Sequence, residues 1–240
     1  MKLIIVLFLS VLLAGCAHQT VPGPYAALTI SDAIAQLRQQ TDSVHTISAQ
    51  GTIALNKPSG DSIRLDSAMV ARIPGQLHLR AWKLNRTVFD LTLTPDGLWM
   101  LTPQDARLRQ RMQNGKFGTI QFARAWDMLS HDFFFSTNLN AKLEGDTLIL
   151  SRKDQAGKVI CYVERSTLNP KEFALYDPSG KKQFDMRLSD YAEHDGVIYP
   201  SRLNAGSRFG ELDVHLRDIR INQPLSSQAF VPSPRAEKMP

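Results

Sequence analysis

The stretch Ile47-Ser48-Ala49-Gln50-Gly51-Thr52-Ile53-Ala54-Leu55 alternates strictly: Ile, Ala, Gly, Ile and Leu at odd positions, and Ser, Gln, Thr and Ala at even ones. Successive side chains of a β-strand point to opposite faces, so a period of two predicts a strand with one apolar face. The other face is polar and meets water, as expected of antiparallel rather than doubly covered parallel sheet. The small residues Ala49 and Gly51 lie on the apolar, buried side. After the turn Lys57-Pro58-Ser59-Gly60 the alternation resumes over residues 63–73, with Ile63, Leu65, Met69, Ala71 and Ile73 against Ser62, Arg64, Asp66 and Arg72.

Working outward, Pro74-Gly75 turns the chain into Leu77, Leu79 and Ala81, then Phe89, Leu91 and Leu93 follow, and Pro95-Asp96-Gly97 leads to a short strand near 98–102. A second block reads the same way at 142–151, 158–166, 171–177, 182–190, 197–204 and 211–221, with turns at Gln155-Ala156-Gly157, Asn169-Pro170, Pro178-Ser179-Gly180 and His194-Asp195-Gly196. Roughly eleven short strands joined by tight polar turns predict one large antiparallel meander, sandwich or barrel. Two segments carry a helical period instead. Ser31 or Asp32 caps a helix through residue 43, with Ala33, Ile34 and Leu37 on one side. Residues 119–131 place Phe122, Trp126 and Leu129 at helical spacing and run straight into Phe133-Phe134-Phe135. A helix midway through a meander packs on one face of the sheet, either completing the core or covering an apolar cavity.

The 240 residues are 43% hydrophobic and 21% charged, ordinary globular values that exclude a disordered or collagen-like chain. A net charge of +5 is too small and too dispersed to call for a nucleic-acid partner. The six histidines (18, 45, 78, 131, 194 and 215) fall at no metal-ligand spacing, and no nucleophile elbow, Walker loop or dinucleotide-binding glycine motif occurs. Two cysteines make no disulfide framework, and Cys161, between Ile160 and Tyr162 in a strand pattern, reads as a small buried hydrophobe. The expectation is a protein that is not an enzyme and carries no cofactor or metal.

The N-terminus is a separate unit. Lys2 precedes an apolar run over residues 3–13, about half the ~20 residues a membrane-spanning helix needs but the right length for an export signal. Leu13-Ala14-Gly15-Cys16 resembles the bacterial lipoprotein lipobox. The resemblance implies cleavage after Gly15, which makes residues 1–15 a signal peptide, and thioether attachment of a diacylglycerol to the Cys16 sulfur. Two or three acyl chains would anchor the protein to a membrane essentially permanently. Ala17 stands where an Asp would imply retention at the inner membrane, so resemblance to that sorting pattern implies the outer membrane, facing the periplasm. Residues 16–30 contain Pro22-Gly23-Pro24, show no period, and read as a tether.

The ordered features over residues 31–232 resemble the LolA/LolB superfamily of periplasmic lipoprotein carriers and receptors, in particular its uncharacterised bacterial lipoproteins. They comprise the helix leading into Ile47-Ser48-Ala49-Gln50-Gly51, the strand closing on Arg72-Ile73-Pro74, and Leu77-His78-Leu79-Arg80. Val88-Phe89-Asp90-Leu91, Gly196-Val197-Ile198-Tyr199-Pro200, Asn222-Gln223-Pro224-Leu225 and Phe230-Val231-Pro232 complete the set. The resemblance implies a mainly β fold with few helices: a strongly curved, incompletely closed antiparallel half-barrel wrapped around helices. Residues 233–240, beyond it, are expected to form a disordered tail. It also implies that the concave side holds an apolar cavity for acyl chains. The residues matching that cavity and its lid are Met69, Leu77, Leu79, Phe89, Leu91 and Leu93, together with Phe122, Trp126, Leu129, Phe133, Phe134 and Phe135. Trp82 and Leu84, in the hairpin after the third strand, match the receptor's membrane-touching tip. Arg72 stands one residue too early to match the carrier arginine that directly precedes Pro.

Arg107, Arg109 and Arg111 recur at period two and would share one strand face. Such a row suits phosphate or carboxylate groups such as lipid headgroups, or is simply a solvated face. The expected function is a monomeric lipoprotein that takes acyl chains of lipids or of other lipoproteins into the cavity, in lipid or lipoprotein transfer or localisation. The alternative is an accessory module of an envelope complex whose sheet is filled by its own helix.

Overall fold

The computed structural model describes residues 23–56, 62–101, 131–155, 157–207 and 210–239. Cys16, the arginines at 107, 109 and 111, and the aromatic stripe Phe122, Trp126 and Leu129 lie outside the described residues.

Thirteen strands form one antiparallel sheet in the order β13-β5-β4-β3-β2-β1-β12-β11-β10-β9-β8-β7-β6. The strands are β1 (Thr46–Asn56), β2 (Ser62–Arg72), β3 (Gln76–Lys83), β4 (Arg86–Thr94), β5 (Gly97–Leu101), β6 (Asn140–Glu144), β7 (Thr147–Asp154), β8 (Gly157–Glu164), β9 (Pro170–Tyr176), β10 (Lys182–His194), β11 (Val197–Ser207), β12 (Gly210–Ile221) and β13 (Glu237–Lys238). Every neighbour is the next strand in sequence except where β1 pairs with β12 and β5 with β13. The β1–β12 pairing joins the two blocks, so the curved sheet is continuous and not closed into a barrel.

Thirteen strands replace the expected eleven for two local reasons. Residues 142–151 are not one strand: Gly145, at φ 57°, turns the chain between β6 and β7. Near the C-terminus, Glu237 and Lys238, expected in a tail, pair with Met100 and Trp99 and cover the β5 edge, an edge that would otherwise invite pairing with another chain.

The alternation read in the sequence becomes rows of apolar side chains across the inner face. One row runs Leu98, Leu93, Leu77, Ala71, Ile47, Ile221 through directly paired positions, and the next runs Met100, Leu91, Leu79, Met69, Ala49. Two helices among the described residues lie against the other half of this face. Helix α1 (Ile30–Asp42) buries Ala33 and Leu37. Its N-cap is Thr29, two or three residues before the expected Ser31 or Asp32: the Thr29 hydroxyl accepts from the Asp32 amide at 3.2 Å and donates to the Asp32 carboxylate at 2.6 Å, and the acid in the first turn suits the helix dipole. The short helix α2 (His131–Phe134) contributes Phe133 and Phe134, 0% and 5% exposed. Together with Val159, Cys161, Val163, Phe173 and Leu175 they form the larger core. A second core lies under β1–β5 and β12.

The sheet has two ends. At one lie the β2–β3, β8–β9 and β10–β11 turns with the ends of α1 and β12, and at the other lies the β3–β4 hairpin. The described chain comes in at the first end: Tyr25 N–H donates to the Ser166 carbonyl at 3.3 Å. Gly23 packs so closely that a Cβ there would sit 2.3 Å from the same oxygen, leaving room for glycine alone.

Candidate functional site

A half-open cleft of about 330 Å³ opens at this end, between α1 and the inner face of β9–β11. Its volume is at the small end of the range for ligand sites, ~300–1,000 Å³. The floor is apolar: Phe173 and Leu188 from neighbouring strands, with Leu37, Phe134 and Leu168 around them. Val44, Ile73 and Val197 form one side, and Gly196 with the half-exposed Ile198 edge the mouth. Most polar groups come from α1 and its C-cap, Gln36 and Gln40 one turn apart with Thr41 and Ser43, and Asn169 adds one from the β8–β9 turn. The Thr41 hydroxyl is already committed to the Leu37 carbonyl at 2.8 Å.

Three tyrosines line this space: Tyr25, Tyr191 and Tyr199, the last two on β10 and β11. The Tyr191 hydroxyl donates to the Pro170 carbonyl; burial, then the proximity of Cys161 and Tyr199, pushes its phenol far up. Burial pushes Tyr199 up to about 12. Tyr191 and Tyr199 therefore stay neutral, and each offers an aromatic body with a polar tip. The cleft suits a long apolar group whose polar end stays near the mouth. Nothing in it resembles a nucleophile with its base. Cys161 lies fully buried in the core, with its thiol pushed well up by burial, so it is protonated and out of reach. No metal-holding cluster of His, Cys, Asp and Glu occurs among the described residues.

The cavity residues expected from the sequence are divided by the fold. Met69, Leu77, Phe89, Leu91 and Leu93 pack in the core under β1–β5, and Leu79 in a smaller cluster with Ile53, Leu65 and Ala81. Phe133 and Phe134 stack edge to face with each other (ring centres 5.3 Å apart) and with Phe173 (5.7 and 6.3 Å). Phe135 turns outward, with the Arg38 guanidinium 5.8 Å from its ring centre, while Arg38 Nε donates to the Phe134 carbonyl at 2.9 Å and ties α1 to α2. Among the described members of this set, only Phe134 lines the cleft. The rest of the lining was not singled out by sequence, although Gln36 and Gln40 beside Leu37 put polar groups next to the buried side of α1.

At the other end of the sheet, Leu84 is 88% exposed at the tip of the β3–β4 hairpin. Leu84 and Asn85 have φ 50° and 61°, both left-handed. This matches a two-residue hairpin turn that ordinarily takes Asn-Gly or Asp-Gly. A leucine there contributes nothing to folding and sits in an uncommon conformation for its type. Lys83 and Arg86 flank it. Trp82 is half-buried and back in the strand, opposite Asp66 and Thr87.

On the outer face, Arg72 does not reach toward the helices. It donates to Gln76 Oε1 at 2.9 Å and to the Leu225 carbonyl at 3.2 Å, and its guanidinium stands 5.0 Å from the Phe230 ring centre. It thus holds the C-terminal segment on the sheet. A second, more open depression of about 680 Å³ near β10 and β11 is bordered by charged side chains. These include Lys171 paired with Glu164, Arg187 with Glu172 and Arg202 with Asp213, at 2.6, 3.7 and 3.0 Å.

No protein-family model and no curated protein matches the sequence. Solved structures do match the fold. A DUF1329 family protein from Desulfovibrio piger aligns over 87% of this chain and 98% of its own, with TM-score 0.62 and 14% identity. A domain described as an outer membrane lipoprotein-sorting protein from Vibrio parahaemolyticus aligns over 84% and 97% (TM-score 0.60, 14% identity). A LolA superfamily protein from Nitrosomonas europaea aligns over 86% and 99% (TM-score 0.60, 14% identity). The chain therefore has a LolA/LolB-like fold.

Proposed function

We propose that this protein is a non-catalytic, lipid-anchored protein of the cell envelope, tethered through Cys16 to the outer membrane and facing the periplasm. It takes an acyl chain of a lipid or lipoprotein into the cleft between α1 and β9–β11, in lipoprotein or lipid transfer or localisation. The observation that carries this reading is the cleft itself: an apolar floor of Phe134, Phe173 and Leu188, open to solvent at one end and lined by no charged side chain among the described residues. Burial of apolar area, at roughly 25 cal/mol per Å², supplies the affinity, and the few polar groups on α1 meet the headgroup end. The LolA-like fold and the lipobox-like Leu13-Ala14-Gly15-Cys16 support the same assignment. Leu84, solvent-exposed between two cations, serves as a second point of membrane contact. It lies one strand length, about 30 Å, from the cleft end, so an anchored molecule touches its own bilayer there by lying lengthwise.

The test is uptake of a fluorescent fatty acid and a fluorescent lipopeptide by the full-length Cys16→Ser protein, repeated with Val197→Trp added to narrow the cleft. Saturable binding, weakened at least tenfold by Val197→Trp in a protein with unchanged circular dichroism, is the expected result. Absence of uptake would overturn the reading. It would favour an accessory role for a sheet filled by its own helices, a reading supported by how completely Leu37, Phe133 and Phe134 are buried.

A further inference from the structure

The segment that leads to the lipid-bearing residue comes in at the cleft. Tyr25 is itself part of the cleft lining. Two residues earlier Gly23 is fixed against Ser166, in the turn that also supplies Leu168, Asn169 and Pro170 to the lining. From Gly23 back to Cys16 is seven residues, a reach of at most about 25 Å fully extended. Pro22 and Pro24 on either side of Gly23 favour extended backbone there. Any acyl group carried on Cys16 therefore starts within about 25 Å of Gly23 and so within reach of the cleft that Tyr25 helps to line.

We propose that the first occupant of this cleft is the protein's own N-terminal lipid: away from a bilayer, one acyl chain on Cys16 folds back past Tyr25 onto Phe134, Phe173 and Leu188. The inference rests on the acyl-binding reading above and names the ligand source within the same chain. A short flexible linker gives an effective concentration in the millimolar range, so the tethered chain outcompetes any free lipid present below that level. The bilayer competes with the cleft for the same chain, because acyl groups gain about 0.8 kcal/mol per buried CH₂ there. Membrane insertion therefore empties the cleft and makes it available to a chain from another molecule. Leaving the membrane refills it and shields the lipid from water. Anchoring and ligand uptake become one linked equilibrium.

The test uses the full-length protein made in bacteria fed a diazirine-bearing fatty acid, with acylation of Cys16 checked by intact mass. The protein is then diluted below the critical micelle concentration, irradiated and mapped by peptide mass spectrometry. The expected result is an intramolecular crosslink from the Cys16 peptide to peptides containing Phe134, Phe173 or Leu188, falling at least fivefold once the protein is inserted in phosphatidylcholine vesicles. In parallel, the acylated protein in buffer should bind a free fluorescent fatty acid at least tenfold more weakly than full-length Cys16→Ser. If free diazirine fatty acid labels the cleft of Cys16→Ser but the Cys16-borne chains label only detergent, neighbouring molecules or other surfaces, the back-folding is wrong and the acyl-binding reading stands. If neither labels the cleft, both fall. An intact mass without acyl groups on Cys16 also overturns the inference.

Discussion

His78 joins two parts of the molecule that are distant in sequence: its Nε2 lies 2.8 Å from a carboxylate oxygen of Asp90, and its Nδ1 lies 2.6 Å from the Ala229 carbonyl. Both partners can only accept, so the imidazole satisfies both by carrying two protons. The second Asp90 oxygen takes the Arg80 guanidinium at 2.7 Å. The hydrogen bond to Asp90 is the main reason the His78 pKa is raised, outweighing burial. Burial pushes the Asp90 carboxyl up, but the bonds from His78 and Arg80 leave it below its ordinary value. This cluster and Arg72 together fix the C-terminal segment to the outer face of β2–β4.

Stability at this contact should depend on pH with a definite sign. The raised His78 pKa gives stabilisation that is fully present below the unfolded value near 6.5 and is lost as pH rises through the higher folded value. Urea unfolding followed from pH 6 upward should show falling stability, with faster amide exchange at residues 229–231. In His78→Gln that slope should flatten, at a cost below pH 6.5 of about 1.5–3 kcal/mol, the worth of a charged hydrogen bond. An unchanged slope in His78→Gln would show that another group is responsible.

Asp90→Ala should be among the costlier single changes in the sheet. Asp90 is 2% exposed, and its removal leaves the cations of His78 and Arg80 without their anion. Breaking a buried pair costs about 3–5 kcal/mol, and the half-exposed Arg80 places the expected loss near the lower figure. Chemical denaturation with an unchanged m-value is the measurement, and a loss under 1 kcal/mol would contradict this account.

The three consecutive phenylalanines should separate sharply. Phe133 is 0% exposed and stacks on Phe134 and Phe173, so Phe133→Ala should cost about 3–5 kcal/mol. Phe135 is 37% exposed, with the Arg38 guanidinium at its ring face, so Phe135→Ala should cost about 1 kcal/mol or less. Equal losses in thermal unfolding would mean that the stack does not carry the core.

Gly51 should resist even alanine. A Cβ there would stand 2.2 Å from the His215 carbonyl oxygen, on the strand pair that joins the two halves of the sheet. Gly51→Ala should force β1 and β12 apart and cost about 1–3 kcal/mol, with exchange rising at their shared amides ahead of those in β7–β9.

Leu84 should matter to membranes and not to folding. Leu84→Asn places at the left-handed tip a residue that prefers it, so thermal stability should hold or rise by a few tenths of a kcal/mol. Loss of lipid delivery from loaded protein to vesicles in the same variant would tie the tip to function, and unchanged delivery would remove it from the site.

The sequence by itself determined the strands, their faces and most turns, because a period of two and the Pro, Gly, Asn and Asp punctuation are local signals. Ile47 to Leu55 kept its predicted inner face in full, and Cys161 lies in the core as read. Local signals also set the limits. Gly145 hid a turn inside a segment, residues 142–151, that reads as one strand, and the pairing of Glu237 and Lys238 with β5 has no pattern of its own to announce it. The cleft was decided only in three dimensions. Its lining comes from both helices, from β9, β10 and β11, from the segment before α1 and from the α1–β1, β2–β3, β8–β9 and β10–β11 connections, and what leaves it open is how far α1 stands from Phe173 and Leu188. That spacing is set by how Arg38, Phe134 and Leu37 pack together across the fold, and no neighbouring residues in the chain encode it.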